Sequence, residues 1–484
     1  MQKVKTVGII GGGLSGLAAA TFLARQGYRA KLFEANDKLG GCCATTELQG
    51  FLFNDGAMYI AIPGILDHAF ERLGLDRTVL IPLRQIIANQ STTLSDGTVI
   101  NIGHGRDVRI CGENENARQA RLDIELDHLL SKWEPVLHLL TTELIPHPFS
   151  IWRLLWKGGR HLSKFHGTVA SELNAVFSDP AVRAAMSGVM HYTGLSPEKT
   201  PVLQILGLVS IFSDGFFLPE GGMGMIPKVL TDEFVKQDGE IFTGAKVEKI
   251  ELINGRVSSL RLERDESIPV DAVISTVSGM STLGLLADVN SAPSSMVRKM
   301  RKVPLSHKAL CVQLGLSNCI DVPSHSMSHL PMMEDQYKVF LPSDTSPEWF
   351  HYTVPTVTMP ELAPPGGSII EMFPPINQLW PVDRWDDEVK NSVAEKAICA
   401  LSERHSMDVV VKRITSPKDY QVRMHLFDGA VYGLSPAADV RFQFPHKTPI
   451  AGLYQAGQTT YPGYGVGPAI MSGIFAAEGL IKEV

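Results

Sequence analysis

The stretch Val4-Lys5-Thr6-Val7-Gly8-Ile9-Ile10-Gly11-Gly12-Gly13-Leu14-Ser15-Gly16 decides the fold. Val4 to Ile10 is a short apolar run closed by glycine, the pattern of a strand buried on both faces of a parallel sheet. Leu17 to Arg25 has helical composition. Gly11-x-Gly13-x-x-Gly16 therefore sits between a strand and a helix, the setting in which this spacing binds a dinucleotide. Gly11 makes the tight turn, Gly13 lets backbone approach a pyrophosphate, and Gly16 lets helix and strand pack closely. The N–H groups opening the helix, those of Leu14 and Ser15 among them, offer partial positive charge to the phosphates. Tyr28 to Phe33 reads as the second strand. Glu34, with Ala35 beside it, ends that strand twenty-one residues after Gly13, where an acidic side chain accepts ribose hydroxyls.

Leu39-Gly40-Gly41 follows almost at once, and then Gly50-Phe51 up to Asp55-Gly56-Ala57-Met58. A plain nicotinamide dehydrogenase would have a crossover helix here. A second glycine pair after the ribose carboxylate resembles the FAD enzymes of the glutathione reductase superfamily. The resemblance implies that Gly40, Gly41, Cys42, Gly56, Ala57 and Met58 surround an FAD. The amine oxidase branch has Arg where this chain has Cys42. The pair Cys42–Cys43 suits either covalent or redox work on the flavin or two small buried residues beside it.

The far end reads as the other half of the same site. Gly452 to Thr460 is a last strand running into a polar turn, Tyr461-Pro462-Gly463-Tyr464-Gly465-Val466-Gly467-Pro468 is glycine-rich, and a helix is expected from about Ala469 to Ile481. Backbone so rich in glycine approaches a ligand closely. This ending resembles the phytoene desaturase, carotenoid isomerase and retinol saturase family of flavoproteins. Phe217-Leu218-Pro219-Glu220-Gly221-Gly222-Met223 is similar to that family's mid-chain element, and Asp271 to Thr276 to its return strand. The resemblance implies FAD contacts at Gly457, Gln458, Gly465 and Val466, and backbone near Val247 against the adenine. Gln458 departs from the acidic residue common in related flavoproteins.

The expected architecture is α/β: a Rossmann-type FAD-binding domain interleaved with a substrate domain of mixed β-sheet and a helical lid. Residues 1–85, 219–282 and 436–484 are expected to form the first, and 86–218 and 283–435 the second, with lid helices about 112–217. Asn254-Gly255 reads as a hairpin turn. Ser306–Leu316, Tyr337–Leu341, Trp349–Thr358 and Ser368–Phe373 read as strands, and Asp386–Leu401 as a helix. Pro201 to Pro219 reads as a buried helix.

The chain has 484 residues, with 44 Lys and Arg against 51 Asp and Glu. A net charge of −7 argues against a nucleic-acid partner. The six cysteines show no metal-ligand spacing, so no metal site is expected and the thiols read as reduced. No apolar leader with a cleavage site and no spanning helix is evident, which suggests a cytoplasmic chain. Leu144 to Ser171 nevertheless holds Arg153, Lys157, Arg160 and Lys164 with Trp152 and Trp156 and no Asp or Glu. Such a segment suits either peripheral contact with the inner face of a membrane or a packed helix with a solvated basic face. The oligomeric state is open.

The resemblance implies an oxidoreductase that desaturates, saturates or isomerises C=C bonds of a carotenoid-like or other long apolar substrate, the flavin supplying most of the chemistry. Phe212, Phe216, Phe217, Phe373, Met223 and Met225 are candidates to line its tunnel. Two features resemble amine oxidases instead: Lys308 opening a strand, where such enzymes hold a water against the flavin, and Tyr464 in a Gly-Tyr pair. Tyr461 joins Lys308 and Tyr464 as a catalytic candidate, and His191, His425 and Asp428 as candidates for proton transfer. The competing readings are an amine or amino-acid oxidase using Lys308 and Tyr464, and a non-enzymatic binding protein similar to Rab escort proteins.

Overall fold

The computed structural model describes residues 5–286, 294–341, 350–438 and 440–483. Val4 and Trp349, at the ends of two expected strands, lie outside them. Thr6–Ile10 is the central strand of a five-stranded sheet, and Val7 and Ile9 are fully buried. The strand order is Glu240–Phe242, Arg29–Phe33, Thr6–Ile10, Ala272–Ser275, Leu453–Gln455, and every pair is parallel. Strands far apart in the chain thus lie side by side, because each is apolar enough to be buried on both faces.

Two helices cover one face, Leu14–Arg25 and Val466–Ile481. Both start three residues earlier than the sequence suggests, directly after Gly13 and Gly465, which serve as N-caps with no side-chain cap. They pack closely: a Cβ on Gly473 would lie 2.1 Å from the Ser15 carbonyl oxygen. Ser15 Oγ donates to the Ala469 carbonyl at 2.7 Å.

The second large sheet has eight strands, in the order Val409–Thr415, Cys311–Leu316, Ser368–Met372, Phe350–Thr353, Ser326–Leu330, Ala88–Leu94, Val99–Gly103, Val108–Cys111. All neighbours are antiparallel except Ser326–Leu330 with Ala88–Leu94. Helices Glu115–His138, Val169–Val176, Pro180–Gly188 and Ile205–Ser213 share an apolar core with that sheet, and with Ile151–Gly158 they make up the helical layer termed the lid. Asn254 and Gly255 both have positive φ, 51° and 74°, and join the paired residues Ile253 and Arg256 as a tight hairpin.

Four expected elements differ. The Pro201–Pro219 helix is confined to Ile205–Ser213; Gly215, at φ +88°, turns the chain into the strand Phe216–Pro219. In place of the expected strand Tyr337–Leu341 stands the end of a 3-10 segment, Met333–Phe340, with Leu341 as its C-cap, tied to the lid by the buried Gln336 amide, whose Nε2 donates to the Ala184 carbonyl at 2.8 Å. The strand expected from Ser306 begins at Cys311, because the Lys308 backbone bonds the Gln378 side chain instead of a neighbouring strand. The expected strand through Thr358 ends at Thr353, before Pro355, which has no N–H to continue a ladder.

Candidate active site

The cradle begins at the glycines. Gly11 has φ +100°, and a Cβ there would lie 2.7 Å from Thr276 Oγ1, which donates to the Ile10 carbonyl at 2.8 Å. A Cβ on Gly16 would lie 1.9 Å from the Gly11 carbonyl oxygen. A Cβ on Gly13 meets nothing within 4 Å. Gly16 is thus required by the protein's own packing, whereas Gly13 borders open space. Gly40 follows, at φ +112°, its N–H donating to the Gly12 carbonyl at 2.8 Å.

Glu34 is buried. Its Oε2 accepts from the Gly12 N–H at 2.7 Å, and its Oε1 from the backbone and side-chain N–H groups of Asn36, both at 2.8 Å. Three donors hold the carboxylate in one orientation at the mouth of the cradle. The opening turns of both covering helices contain no acidic residue, so nothing competes for the positive ends of their dipoles.

A continuous cavity of about 1020 Å³ leads from this cradle into the space between the two sheets and the lid. Gly11, Gly13, Leu14, Ser15, Glu34, Gly40, Gly41, Cys42, Gly56, Ala57, Met58, Gly457, Gln458, Gly465, Val466, Lys308 and Tyr464 line it. Gly16, Ala35, Val247 and Tyr461 do not. Val247 is buried in the core beneath the strand meander Val247–Pro269. The Tyr461 hydroxyl donates to the Leu144 carbonyl at 2.7 Å, and its ring stacks on Phe475 and meets Phe149, so it braces the lid. Of the tunnel candidates, Phe216 and Phe373 line the cavity; Phe212, Phe217, Met223 and Met225 pack into the cores instead.

The cradle fits an FAD. It has open space over Gly13, two uncapped helix N-termini and a carboxylate at ribose distance in the motif. Cys42 borders the cavity with its thiol pushed up to about 11 by burial, and Cys43 is shifted further up by the same cause. Both are protonated near neutral pH and carry no disulfide, which matches small neutral residues beside a cofactor.

Beyond the cradle the walls are largely aromatic and aliphatic, with polar residues and histidines where the eight-stranded sheet meets the cavity. Tyr464 stacks on Tyr432 with ring centroids 4.4 Å apart, and Tyr432 meets Tyr192 and His307 edge-on. Tyr464 and Tyr192 both donate to Gln204 Oε1, at 3.0 and 3.2 Å. Burial pushes the Tyr464 phenol up to about 12 and the His307 imidazole down to about 4, so both are neutral near pH 7. Tyr59 stacks on Phe216 in the same wall. Tyr59, Tyr192, Gln204 and Tyr432 have no sequence signature, since they reach the cavity from four separate segments.

Glu34 and Lys308 are the only Asp, Glu, Lys or Arg side chains among the described residues lining the cavity. The Lys308 ammonium donates to the Trp380 carbonyl at 3.1 Å and lies 3.4 Å from Asp428. His425 lines the cavity; Asp428 is on the Lys308 side of the wall. No cluster of metal-ligating side chains exists among the described residues.

Fold and cradle together define an FAD-dependent oxidoreductase with the architecture of amine oxidases. The family described as flavin containing amine oxidoreductase matches residues 14–481, and the chain belongs to it. A 4,4'-diapolycopene oxygenase of Methylomonas sp. is 24% identical over 98% of each chain. A zeta-carotene-forming phytoene desaturase of Myxococcus xanthus is 24% identical over 98% of this chain and 93% of its own. Among solved structures, cyclohexylamine oxidase from Brevibacterium oxydans IH-35A covers 99% of both chains with a TM-score of 0.64 at 18% identity. That likeness concerns the fold. Membership of this family makes the chain a flavin enzyme and sets aside the Rab escort-like reading.

Proposed function

We propose that the protein is an FAD-dependent oxidoreductase that desaturates a long, apolar polyene. The observation that carries the reading is the cavity wall: past the cradle it is uncharged but for Lys308 and largely aromatic and aliphatic, and that one cation among the described residues lining it is already matched by Asp428. A charged amine would call for a balancing carboxylate, and among the described residues none lines the cavity beyond Glu34, which belongs to the cradle. An apolar chain needs only a water-free channel of matching shape. The names of the curated relatives, a 4,4'-diapolycopene oxygenase and a zeta-carotene-forming phytoene desaturase, support the same reading.

Bound FAD would supply the two-electron chemistry by taking the hydride equivalent of one C–H bond, while the neighbouring carbon releases its proton to solvent as the C=C bond forms. The protein's part is to bind and orient. Gly13, Gly40, Gly41 and the N-terminus of Leu14–Arg25 would hold the pyrophosphate, Glu34 the ribose, and the N-terminus of Val466–Ile481 would favour negative charge at the flavin's N1/C2 carbonyl edge. Tyr464, Tyr432 and Tyr59 would fix the substrate over the reactive ring and exclude water. The test is to supply the holoenzyme with linear polyenes of thirty and forty carbons and follow their visible absorption. Extended conjugation is expected to move it to longer wavelength. Unchanged spectra together with peroxide release from simple primary amines would overturn the reading in favour of an amine oxidase.

We propose further that the protein docks on anionic membranes through Ile151–Gly158 and the residues around it. Trp152 and Trp156 are 78% and 81% exposed, and Phe149, Ile151 and Leu155 are exposed beside them. Arg153, Lys157 and Arg160 rim this apolar face. Phe149 touches Tyr461, but Trp152 and Trp156 stay largely exposed, and such a face fits an interface of acyl chains and acidic headgroups. Leu140, Thr141 and Ile145, just before it in the chain, line the cavity, which supports direct uptake of a lipid-soluble substrate. No helix among the described residues is long and apolar enough to cross a membrane. Flotation with phosphatidylcholine vesicles, with and without phosphatidylserine, tests the docking. Binding that needs the acidic lipid is expected, and equal absence from both preparations would overturn it.

A further inference from the structure

The wall of the cavity built by the eight-stranded sheet is not apolar throughout. Gln90, Ser326, Thr353, Glu371, Gln313 and Arg413 stand opposite one another across six adjacent strands. All six are buried. Six polar side chains in one transverse row of a buried sheet face contravene the usual composition of such a face, where each unsatisfied group is costly.

One end of the row is bound to itself and to Asp55. Arg413 lies 2.7 Å from Asp55 and donates to Gln313 Oε1 at 2.8 Å. Gln313 Nε2 donates to Glu371 Oε1 at 2.7 Å. Burial raises the Glu371 carboxyl to about 7. That end has no uncommitted charge.

The other end opens on the cavity, where Gln90, Ser326 and Thr353 are joined by His191, His325 and His351. Burial lowers each of these imidazoles to about 4, so they are neutral. Their protein partners account for one nitrogen each. His325 Nδ1 bonds Thr358 Oγ1 at 3.1 Å and His351 Nδ1 bonds Ser328 Oγ at 2.8 Å. His191 Nε2 is 2.9 Å from Gln336 Oε1. Gln336 Nε2 donates to two backbone carbonyls, so its Oε1 is an acceptor and His191 Nε2 must carry the hydrogen. His191 Nδ1 is then a bare acceptor. Thr353 donates its hydroxyl hydrogen to Glu371 Oε2, which leaves its oxygen able to accept. The Ser326 hydroxyl has no partner among the described residues.

We infer that this pole binds an uncharged oxygen function, a hydroxyl or carbonyl, at one end of an otherwise apolar substrate. Donors and acceptors stand there together without a free charge, the arrangement that suits an alcohol or aldehyde and not a carboxylate or an ammonium. The inference deepens the polyene reading and rests on it. It also supplies what an apolar channel lacks, a fixed register of the chain against the reactive ring.

The test uses the FAD-loaded protein and four fifteen-carbon isoprenoids that differ only at the terminus: farnesene, farnesol, farnesal and farnesoic acid. Binding is followed by the perturbation of flavin absorbance. Farnesol and farnesal are expected to bind about tenfold or more tighter than farnesene, and farnesoic acid no tighter than farnesene. Ser326→Ala and Thr353→Val are expected to shrink the farnesol-to-farnesene ratio, with retained flavin absorbance showing that each variant is folded. Equal binding of all four by the unaltered protein overturns the end-group inference and leaves the apolar-channel reading intact. Binding of none of the four overturns both. A preference for the acid overturns the inference by revealing a free cation.

Discussion

Gly13 and Gly16 lie three residues apart in one motif, yet the structure gives them different reasons to be glycine. A Cβ on Gly16 would meet the Gly11 carbonyl oxygen at 1.9 Å, and backbone cannot retreat. Gly16→Ala is therefore expected to destabilise the fold by about 3 kcal/mol, read by chemical denaturation. Gly13 has φ −75° and open space over it. Gly13→Ala is expected to leave stability unchanged and weaken FAD binding about tenfold or more, because the methyl occupies the space the pyrophosphate needs. Flavin absorbance titration separates the two outcomes. Lys308 divides the functional readings at the same scale. With its ammonium held by Trp380 and Asp428, Lys308→Met is expected to keep polyene turnover within about twofold and to lower stability by about 1 kcal/mol or less. Loss of turnover with FAD retained would return the residue to the chemistry.

At the scale of elements, the helix pair Leu14–Arg25 and Val466–Ile481 joins the two ends of the chain and sets both uncapped N-termini on one cavity. Gly473 permits the contact: its Cβ would press on Ser15 at 2.1 Å. Gly473→Ala is expected to lower stability by about 2 kcal/mol and to lose FAD along with it, since spreading the pair displaces the backbone on both sides of the cofactor. Thermal denaturation with and without added FAD measures both. The strand, glycine and helix pattern of this half was legible because local period and composition encode it. The lid and the second sheet were less so. Tyr337–Leu341 resembles a strand in composition, but its neighbour Gln336 finds its partners on the lid helix Pro180–Gly188, and that tertiary contact outweighs local preference.

The molecule as a whole carries a pH dependence from its buried imidazoles. His191, His307, His325 and His351 are each lowered from 6.5 to about 4 by burial. A depressed histidine stabilises the fold above its unfolded value and loses that contribution as pH falls toward its folded value. Glu371, raised from 4.5 to about 7, acts in the opposite sense, since the folded state then holds a proton the unfolded chain has released. His329 is lowered to about 4 as well and His446 in the same direction, so the depressed imidazoles outnumber the one raised carboxyl and stability is expected to rise with pH between about 4 and 6.5. Denaturant midpoints across that range check the slope. In Glu371→Gln the opposing contribution is absent, and the rise is expected to be steeper.

The sequence by itself determined the cofactor half of this protein. Strand, glycines, helix and acidic residue follow one another over some thirty residues, and physical constraints on backbone near a phosphate act at that short range. The five-stranded sheet draws its strands from distant segments, each of which carries its own apolar strand pattern. Only the tertiary structure decided the rest of the site. Tyr59, Tyr192, Tyr432 and the polar row from Gln90 to Arg413 come together through sheet register and lid packing. No local pattern in a chain records which residue will stand opposite another across six strands. The place of Lys308 was settled in the same way, by Trp380 and Asp428, residues 72 and 120 positions further along.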